Sequence, residues 1–254
     1  MVILMSRAKS CAPRHIRRPP PATLKSTPTR QGTEGIGVSL TRLGANVLLF
    51  DMMMDLVPMN DAQIRAATKQ KLWVQHRGDA ETVIFEELSV QHGFSRIDLA
   101  VVNGELQGFE LKSDRDTLSR LPQQAEAFSR VFDRVTLVVG ERLLRRAVEV
   151  VPDWWGIRVV RVQGGELHFS DLRHPINNPE PDATSIAMLL WRDEALSLLE
   201  KWGYAMGVRS KARAEIYSRV CEKVSLDDLR HWVRRCLRQR RDWRSVATRL
   251  SSGG

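Results

Sequence analysis

The chain has 254 residues, with 39 Lys or Arg and 30 Asp or Glu, a formal net charge of +9 and a sequence pI near 10.0. Its 43% hydrophobic and 27% charged residues are ordinary for a globular protein and exclude disorder of the whole chain. The most apolar stretch, residues 36–54, contains Arg42 and Asp51, so no membrane span is expected. Three cysteines without a CxxC pair exclude a disulfide framework and favour a cytoplasmic location.

Residues 1–58 differ in composition from the rest of the chain. They contain eight basic and three acidic residues, together with six of the eleven prolines. No helical or strand period is sustained before Leu48, so we expect a disordered basic arm. Two alternatives stay open at this point: a transit peptide, and a start codon assigned too early, with Met59 as the true start.

From residue 59 onward, strand patterns alternate with helical patterns. The sequence predicts, in order, a helix over 61–75, a strand beginning at 83–85, strands over 96–102 and 106–112, a helix over 122–132, a strand over 134–139, a helix over 141–151, and strands over 157–162 and 166–169. After a linker at 177–181, helices are predicted over 183–202, 211–223 and 226–249. We therefore expect an α/β core over 59–176, with a mixed sheet flanked by helices, and a C-terminal helical region over 182–254.

The strands over 96–102 and 106–112 flank Asn103-Gly104, which predicts a β-hairpin. A two-residue loop would set Asp98 opposite Phe109 and mix apolar with charged residues on both faces. A three-residue loop pairs Leu99 with Phe109 and Asp98 with Glu110. We predict the three-residue loop, because it separates an apolar face from a charged one.

In this register Ile97 and Leu99 share the apolar face, and Asp98, Glu110 and Lys112 share the charged face. Directly opposed carboxylates repel each other unless a cation lies between them or one is protonated. Oxygen ligands suit Mg²⁺ or Mn²⁺, and the lysine is placed to stabilise an attacking hydroxide or a phosphate. The alternative is an ordinary solvent-exposed side of a hairpin.

The helix predicted over 122–132 carries a glutamine on its apolar side. Leu121, Ala125 and Phe128 form the apolar stripe, and Gln124 lies between the first and the last of them. A buried amide without hydrogen-bond partners costs about 1–3 kcal/mol. Gln124 is therefore either a satisfied core amide or part of a polar site beside the carboxylates.

Asp98, followed after eleven residues by Glu110-Leu111-Lys112 and then by Gln124-x-x-x-Phe128, resembles the PD-(D/E)XK nuclease superfamily. The pattern is most similar to the RecB-like branch, whose motif ends in a Gln-x-x-x-Tyr helix. The stretch over 109–124 also resembles a family of uncharacterised bacterial proteins assigned to that superfamily. The resemblance implies a restriction-endonuclease-like fold.

The resemblance also implies a metal site. Asp98 and Glu110 would be ligands of Mg²⁺ or Mn²⁺, and the Leu111 backbone carbonyl would complete the ligands from the protein. Glu87, eleven residues before Asp98, matches the upstream acid that assists metal binding, with Glu86 as the fallback.

By the same resemblance, Lys112 would orient or activate the attacking water, and Gln124 would position the lysine or the nucleic-acid backbone. Two residues depart from the family pattern. Phe128 replaces the usual Tyr, which removes any role of that hydroxyl, and Ile97 stands where Pro often precedes the aspartate.

The predicted final helix is rich in arginine and also carries an apolar stripe, so we expect it to dock on the protein with its arginines facing outward. The arginines predicted to bind phosphates are Arg234, Arg235, Arg238 and Arg241. A solvated basic face without a ligand is the alternative.

Together these patterns predict a metal-dependent nuclease that hydrolyses phosphodiester bonds, with DNA favoured over RNA as the partner and DNA repair or defence as the expected setting. One alternative is a non-catalytic nucleic-acid-binding module on the same fold. Another is a regulatory protein that acts through its helical region.

Overall fold

The computed structural model describes the backbone of residues 59–251 and the side chains of residues 59–240, so the arm predicted for residues 1–58 lies outside the described residues. The first elements are α1 (Asp61–Gln75), β1 (Val83–Val90), β2 (Ser95–Val102), β3 (Leu106–Lys112), α2 (Leu121–Ser129), β4 (Arg134–Gly140), α3 (Glu141–Val148), β5 (Gly156–Gln163) and β6 (Glu166–Arg173). They are followed by α4 (Ala183–Ala187), α5 (Arg192–Lys201), α6 (Arg213–Lys223) and α7 (Leu226–Ser251). A 3₁₀ turn over Gln91–Gly93 joins β1 to β2.

The six strands form one sheet in which spatial order follows chain order, from β1 to β6. β1, β2 and β3 pair antiparallel, β3, β4 and β5 pair parallel, and β6 returns antiparallel to β5. The predicted α/β fold, a mixed sheet flanked by helices with further helices at the C-terminal side, is confirmed. None of the helices that the structure describes combines the length and apolar character needed to cross a bilayer.

Both faces of the sheet are covered, which explains the almost continuous apolar character of the central strands. On one face, Ile64 and Leu72 of α1 pack against Leu99, Phe109 and Leu111. On the other face, α2, α3 and the C-terminal helices share a single apolar cluster with the sheet. The C-terminal helices therefore complete the core on this second face.

The start of α1 follows from its cap. The Asn60 side chain accepts a hydrogen bond from the Gln63 backbone N–H, and the Gln63 side chain accepts one from the Asn60 N–H. This reciprocal capping box satisfies two of the helix's unpaired backbone donors. The predicted bounds of 61–75 are confirmed.

The β2–β3 hairpin has the predicted three-residue loop. Leu99 pairs with Phe109 and Ala100 with Gly108, as predicted. The Asn103 side chain accepts a hydrogen bond from the Glu105 N–H and closes the loop. The ladder ends at Leu99, so the predicted Asp98–Glu110 pair lies beyond the last ladder pair.

The side-chain alternation of β2 is interrupted just before this point. Glu86 pairs with Leu99 and Leu88 with Ile97, while Glu87 between them adopts a left-handed φ of 57°. The prediction that Ile97 shares a face with Leu99 is wrong, since Ile97 packs with the second core cluster. The irregularity at Glu87 changes the direction of the side chains on both strands.

The helix predicted over 183–202 is also wrong, because the chain breaks into α4 and α5. The carbonyls in the break are satisfied by distant residues: the Tyr217 hydroxyl donates to Leu190 O at 2.8 Å, and Arg240 donates to Leu189 O at 2.9 Å. These contacts replace the helical hydrogen bonds that the break removes.

Candidate active site

A polar cleft of about 680 Å³ opens where β1, β2 and β3 meet the ends of α1 and α2. The fallback acid Glu86 does not line this cleft and pairs instead with Lys69. The other residues for which the resemblance implied a role do line it: Glu87, Asp98, Glu110, Leu111, Lys112 and Gln124. They come from three strands and one helix, so the fold brings together residues that are up to 37 positions apart in the chain.

Lys112 is held between two oxygen acceptors inside the cleft. Its ammonium donates to Glu110 Oε1 at 2.7 Å and to Gln124 Oε1 at 3.0 Å. Gln124 reaches the lysine because α2 packs its apolar stripe on the sheet and carries the amide beside it. Of the two interpretations of Gln124, the structure therefore favours the polar site. An ammonium has three donors, so one N–H is left to point at a bound group.

Glu110 is the most deeply buried acid of the cleft, with 1% of its surface exposed. Burial raises its pKa from an ordinary value of 4.5 to about 7, and the nearby Asp98 carboxylate adds to the increase, while Lys112 opposes it. Glu110 Oε2 is buried and has no hydrogen-bond partner among the described residues. A buried acceptor oxygen without a hydrogen-bond partner can bind a proton or a cation.

The Asp98 side chain bonds to the β3 backbone just beyond the last pair of the β2–β3 ladder. Its Oδ2 accepts a hydrogen bond from the Leu111 backbone N–H at 2.9 Å, so a side chain replaces a strand partner. Its Oδ1 lies 2.6 Å from Nη2 of Arg65 on α1. Asp98 is thus tied both to β3 and to the helix across the cleft.

Arg65 is a cleft residue that sequence reasoning missed. Its guanidinium pairs with Glu87 Oε1 at 3.0 Å as well as with Asp98. Glu87 is also paired with Arg96, at 2.5 Å between Nε and Oε2. The helix that carries Arg65 was predicted, but its direction towards the cleft depends on how α1 packs on the sheet. The left-handed backbone of Glu87 had no signal either, because such strain is unusual for a residue other than glycine.

Several more residues line the cleft that the sequence did not indicate as site residues: Ser89, Phe94, Ser95, Arg96, Arg120 and Gln123. Asp116 also lines it, but its carboxylate accepts hydrogen bonds from the backbone N–H and the hydroxyl of Ser113. These contacts close the turn after β3, so the Asp116 carboxylate has a structural role there.

The donor atoms of the cleft fit a hard divalent cation. Asp98 and Glu110 supply two carboxylates, and one of their oxygens, Glu110 Oε2, lacks a partner. Among the described residues, no three His, Cys, Asp or Glu side chains converge to hold a metal ion. Mg²⁺ needs no such cluster, because it retains several waters and is bound through one or two carboxylates and substrate oxygens.

The arginines of α7 do not all face outward as expected. Arg234 donates to Asp133 Oδ2 at 3.4 Å, and Arg238 donates to the Asn103 carbonyl at 3.1 Å, so the orientation expected for these two is wrong. Arg235 is exposed and lies 5.3 Å from the Trp232 ring centre. The side chain of Arg241 lies outside the described residues. Asn103 precedes β3 and Lys112 ends it, so these contacts lie at the opposite end of the strand from the cleft.

By fold, the described chain is a mixed α/β protein with a polar cleft at the end of β3. The chain belongs to the bacteriophage P4 protein cII family, whose profile matches residues 55–249. It is 25% identical over 162 residues to protein cII of Enterobacteria phage P4, a match that covers 63% of this chain and 61% of the relative. The chain thus spans about three fifths of the length of the curated relative it matches.

Two solved structures are similar to parts of the chain. A protein of unknown function from Silicibacter pomeroyi is 17% identical, with a TM-score of 0.31, and the match covers 54% of this chain and 90% of that one. SfsA of Pyrococcus furiosus, solved in complex with Ca²⁺, is 15% identical, with a TM-score of 0.28, and the match covers 46% of this chain and 65% of that one.

Proposed function

We propose that this protein is a metal-dependent nuclease of the PD-(D/E)XK type that hydrolyses phosphodiester bonds in nucleic acid, with DNA as the favoured substrate. The observation that carries the proposal is the position of Lys112. It lies buried between Glu110 and Gln124, in the same cleft as Asp98 and Glu87. A buried ammonium beside two carboxylates suits a reaction in which negative charge develops on a phosphate.

Each side chain of the cleft has its own role in the proposed reaction. The free N–H of Lys112 orients the attacking water or a phosphate oxygen, and Gln124 fixes the lysine through its amide oxygen. Arg96 and Arg120 line the cleft and provide positive charge for the flanking phosphates. We also propose that the exposed Arg235, and Arg241, whose side chain lies outside the described residues, contact phosphates.

Asp98, Glu110 and the Leu111 carbonyl would hold Mg²⁺ or Mn²⁺, with Glu87 assisting. A bound divalent ion supplies Lewis-acid stabilisation of the charge on the scissile phosphate. For Asp98 to bind it, the Arg65 guanidinium must leave Oδ1 or share that oxygen. Arg65 would still pair with Glu87 on the cleft wall.

The test is cleavage of supercoiled plasmid and of single-stranded DNA by the full chain with Mg²⁺, with Mn²⁺ and with EDTA. Lys112→Met should lower the rate by about 100-fold or more, in the range expected for loss of one charge-stabilising contact. Lys211→Met is the matched control, because Lys211 is an exposed lysine whose ion-pair partner among the described residues is Glu215. Equal cleavage by wild type and Lys112→Met would refute the mechanism.

A second candidate function is a nucleic-acid-binding or regulatory protein on the same fold, without catalysis. The Arg65 contacts favour it, because one guanidinium pairs with both Asp98 and Glu87, two of the acids that a metal would need. Calorimetry with Mn²⁺ separates the two candidates. A nuclease should bind the ion, and Asp98→Asn should abolish that binding, whereas wild type that binds DNA but neither Mn²⁺ nor Mg²⁺ would support the second candidate.

A further inference from the structure

The cleft and a second cavity lie one after the other along α1 and β1, and we call the two together the groove. Asp61 and Arg65 near the start of α1 line the cleft, together with Glu87 and Ser89 near the end of β1. The second cavity, of about 820 Å³, is lined by the later part of α1, the start of β1 and residues 76–80 between them. The two cavities therefore follow one another along the same pair of elements, and Lys69, which lines the second cavity, pairs with Glu86.

The second cavity presents an aromatic ring to solvent. Trp73 lines it, and 53% of its surface is exposed, which is unusual for the largest apolar side chain. The guanidinium of Arg77 lies 5.4 Å from the ring centre. A ring that is open on one side and braced by a cation is a suitable platform for a flat, electron-rich group.

The basic residues beside this ring continue those of the cleft. Arg65, Lys69 and Trp73 are four residues apart on α1 and lie on one side of the helix, and Arg77 follows just past its end. Asp79 is the acid that lines the second cavity, and its carboxylate accepts hydrogen bonds from Thr82 and the Glu81 N–H. The second cavity thus offers a ligand the Trp73 ring and the Arg77 guanidinium, with Lys69 shared with Glu86, while Asp79 is engaged within the protein.

We propose that the groove between α1 and β1 binds single-stranded nucleic acid, with one base stacked on Trp73 and the adjoining phosphates on Lys69 and Arg77. Base stacking on an exposed aromatic ring between cations is how proteins hold single strands without reading their sequence. In a duplex both faces of each base are already stacked, so the platform selects unpaired strands. Phe94, which is 65% exposed, gives the cleft end of the groove a second ring.

This inference deepens the proposed function, because it names the substrate class that would lead into the cleft. The test measures binding by the full chain carrying Lys112→Met, so that cleavage does not interfere. The probes are fluorescein-labelled oligothymidylate of about 16 nucleotides and a duplex of equal length, compared by anisotropy at one fixed salt concentration.

Trp73→Ala should weaken single-strand binding by about tenfold, which corresponds to about 1.4 kcal/mol, and should change duplex binding much less. Trp73→Phe should restore most of the affinity, because it keeps a ring. Trp202→Ala is the matched control: Trp202 is 44% exposed with Lys201 against its ring, but it lines neither cavity. Quenching of tryptophan fluorescence by the oligonucleotide should also disappear in Trp73→Ala.

Unchanged single-strand affinity in Trp73→Ala, an equal loss in Trp202→Ala, or no single-strand binding by the parent would each overturn the inference. A different set of results would refute the proposed function. Trp73-dependent binding without cleavage by wild type would refute the nuclease and leave the groove standing. Cleavage with binding that does not depend on Trp73 would refute the groove and leave the nuclease standing.

Discussion

Glu110 should make the stability of this protein depend on pH in a way that a single substitution removes. Its pKa is raised from 4.5 to about 7 in the folded protein, first by burial and then by Asp98. The folded state therefore binds this proton more tightly than the unfolded chain. The free energy of unfolding must fall as pH rises from the unfolded pKa near 4.5 through the folded pKa near 7.

The size of the effect follows from the same two pKa values. A tenfold change in proton affinity corresponds to about 1.4 kcal/mol, so this carboxyl should cost about 3 kcal/mol of stability between about pH 4 and pH 8. Glu110→Gln keeps the shape of the side chain but cannot ionise. Stability of the variant should lack this decline, although other groups will still titrate in both proteins.

The assay is urea unfolding of wild type and Glu110→Gln across this pH range, with EDTA present so that no divalent ion binds Glu110. The difference in unfolding free energy between the two proteins should change by about 3 kcal/mol in favour of the variant as pH rises. Glu126→Gln serves as control, because the Glu126 side chain is 68% exposed and its ion-pair partner within the described part of the chain is Arg130. Parallel pH profiles of wild type and Glu110→Gln would refute the assignment of a buried acid to this cleft.

Two more substitutions test the packing around the cleft and of α7. Gly108→Ala should lower the free energy of unfolding in urea by about 1–3 kcal/mol, because the added carbon would lie 2.5 Å from Ile97 Cδ1 in the core. Gly104→Ala is its control: a carbon added there has no atom within 4 Å, so stability should stay within about 0.5 kcal/mol of wild type. Asp133→Asn should cost about 1.5–3 kcal/mol by thermal and urea unfolding, because the carboxylate accepts from the start of β3 at 2.7 Å and pairs with two arginines of α7. Asp153→Asn, on a fully exposed side chain, should leave stability nearly unchanged, and equal losses in the two aspartate variants would argue against this docking.

Where local chemistry decides the structure, the sequence predicted it well. The capping box at Asn60 set the start of α1, and the apolar pattern selected the three-residue hairpin loop. The strands predicted over 157–162 and 166–169 pair through a turn at Gly164-Gly165, where both residues have the positive φ of a type I′ turn.

Where contacts between residues far apart in the chain determine the structure, the sequence did not predict it. The break after α4 has neither Gly nor Pro and depends on donors from Tyr217 and Arg240. The left-handed backbone of Glu87 and the reach of Arg65 into the cleft depend on how α1 meets the sheet edge. For the site, the sequence predicted which acids, lysine and glutamine would meet, but not the arginine that pairs with two of those acids.

The strand order of the sheet bears on how the protein forms during synthesis. Each strand pairs with the one made just before it, so the sheet grows by short-range steps that close few long loops. The helices from α4 onward are made last, yet they bury much of one sheet face. A nascent chain that has finished β6 therefore exposes an apolar surface until α4–α7 emerge, which makes this interval the stage of greatest risk of aggregation and of greatest need for a chaperone.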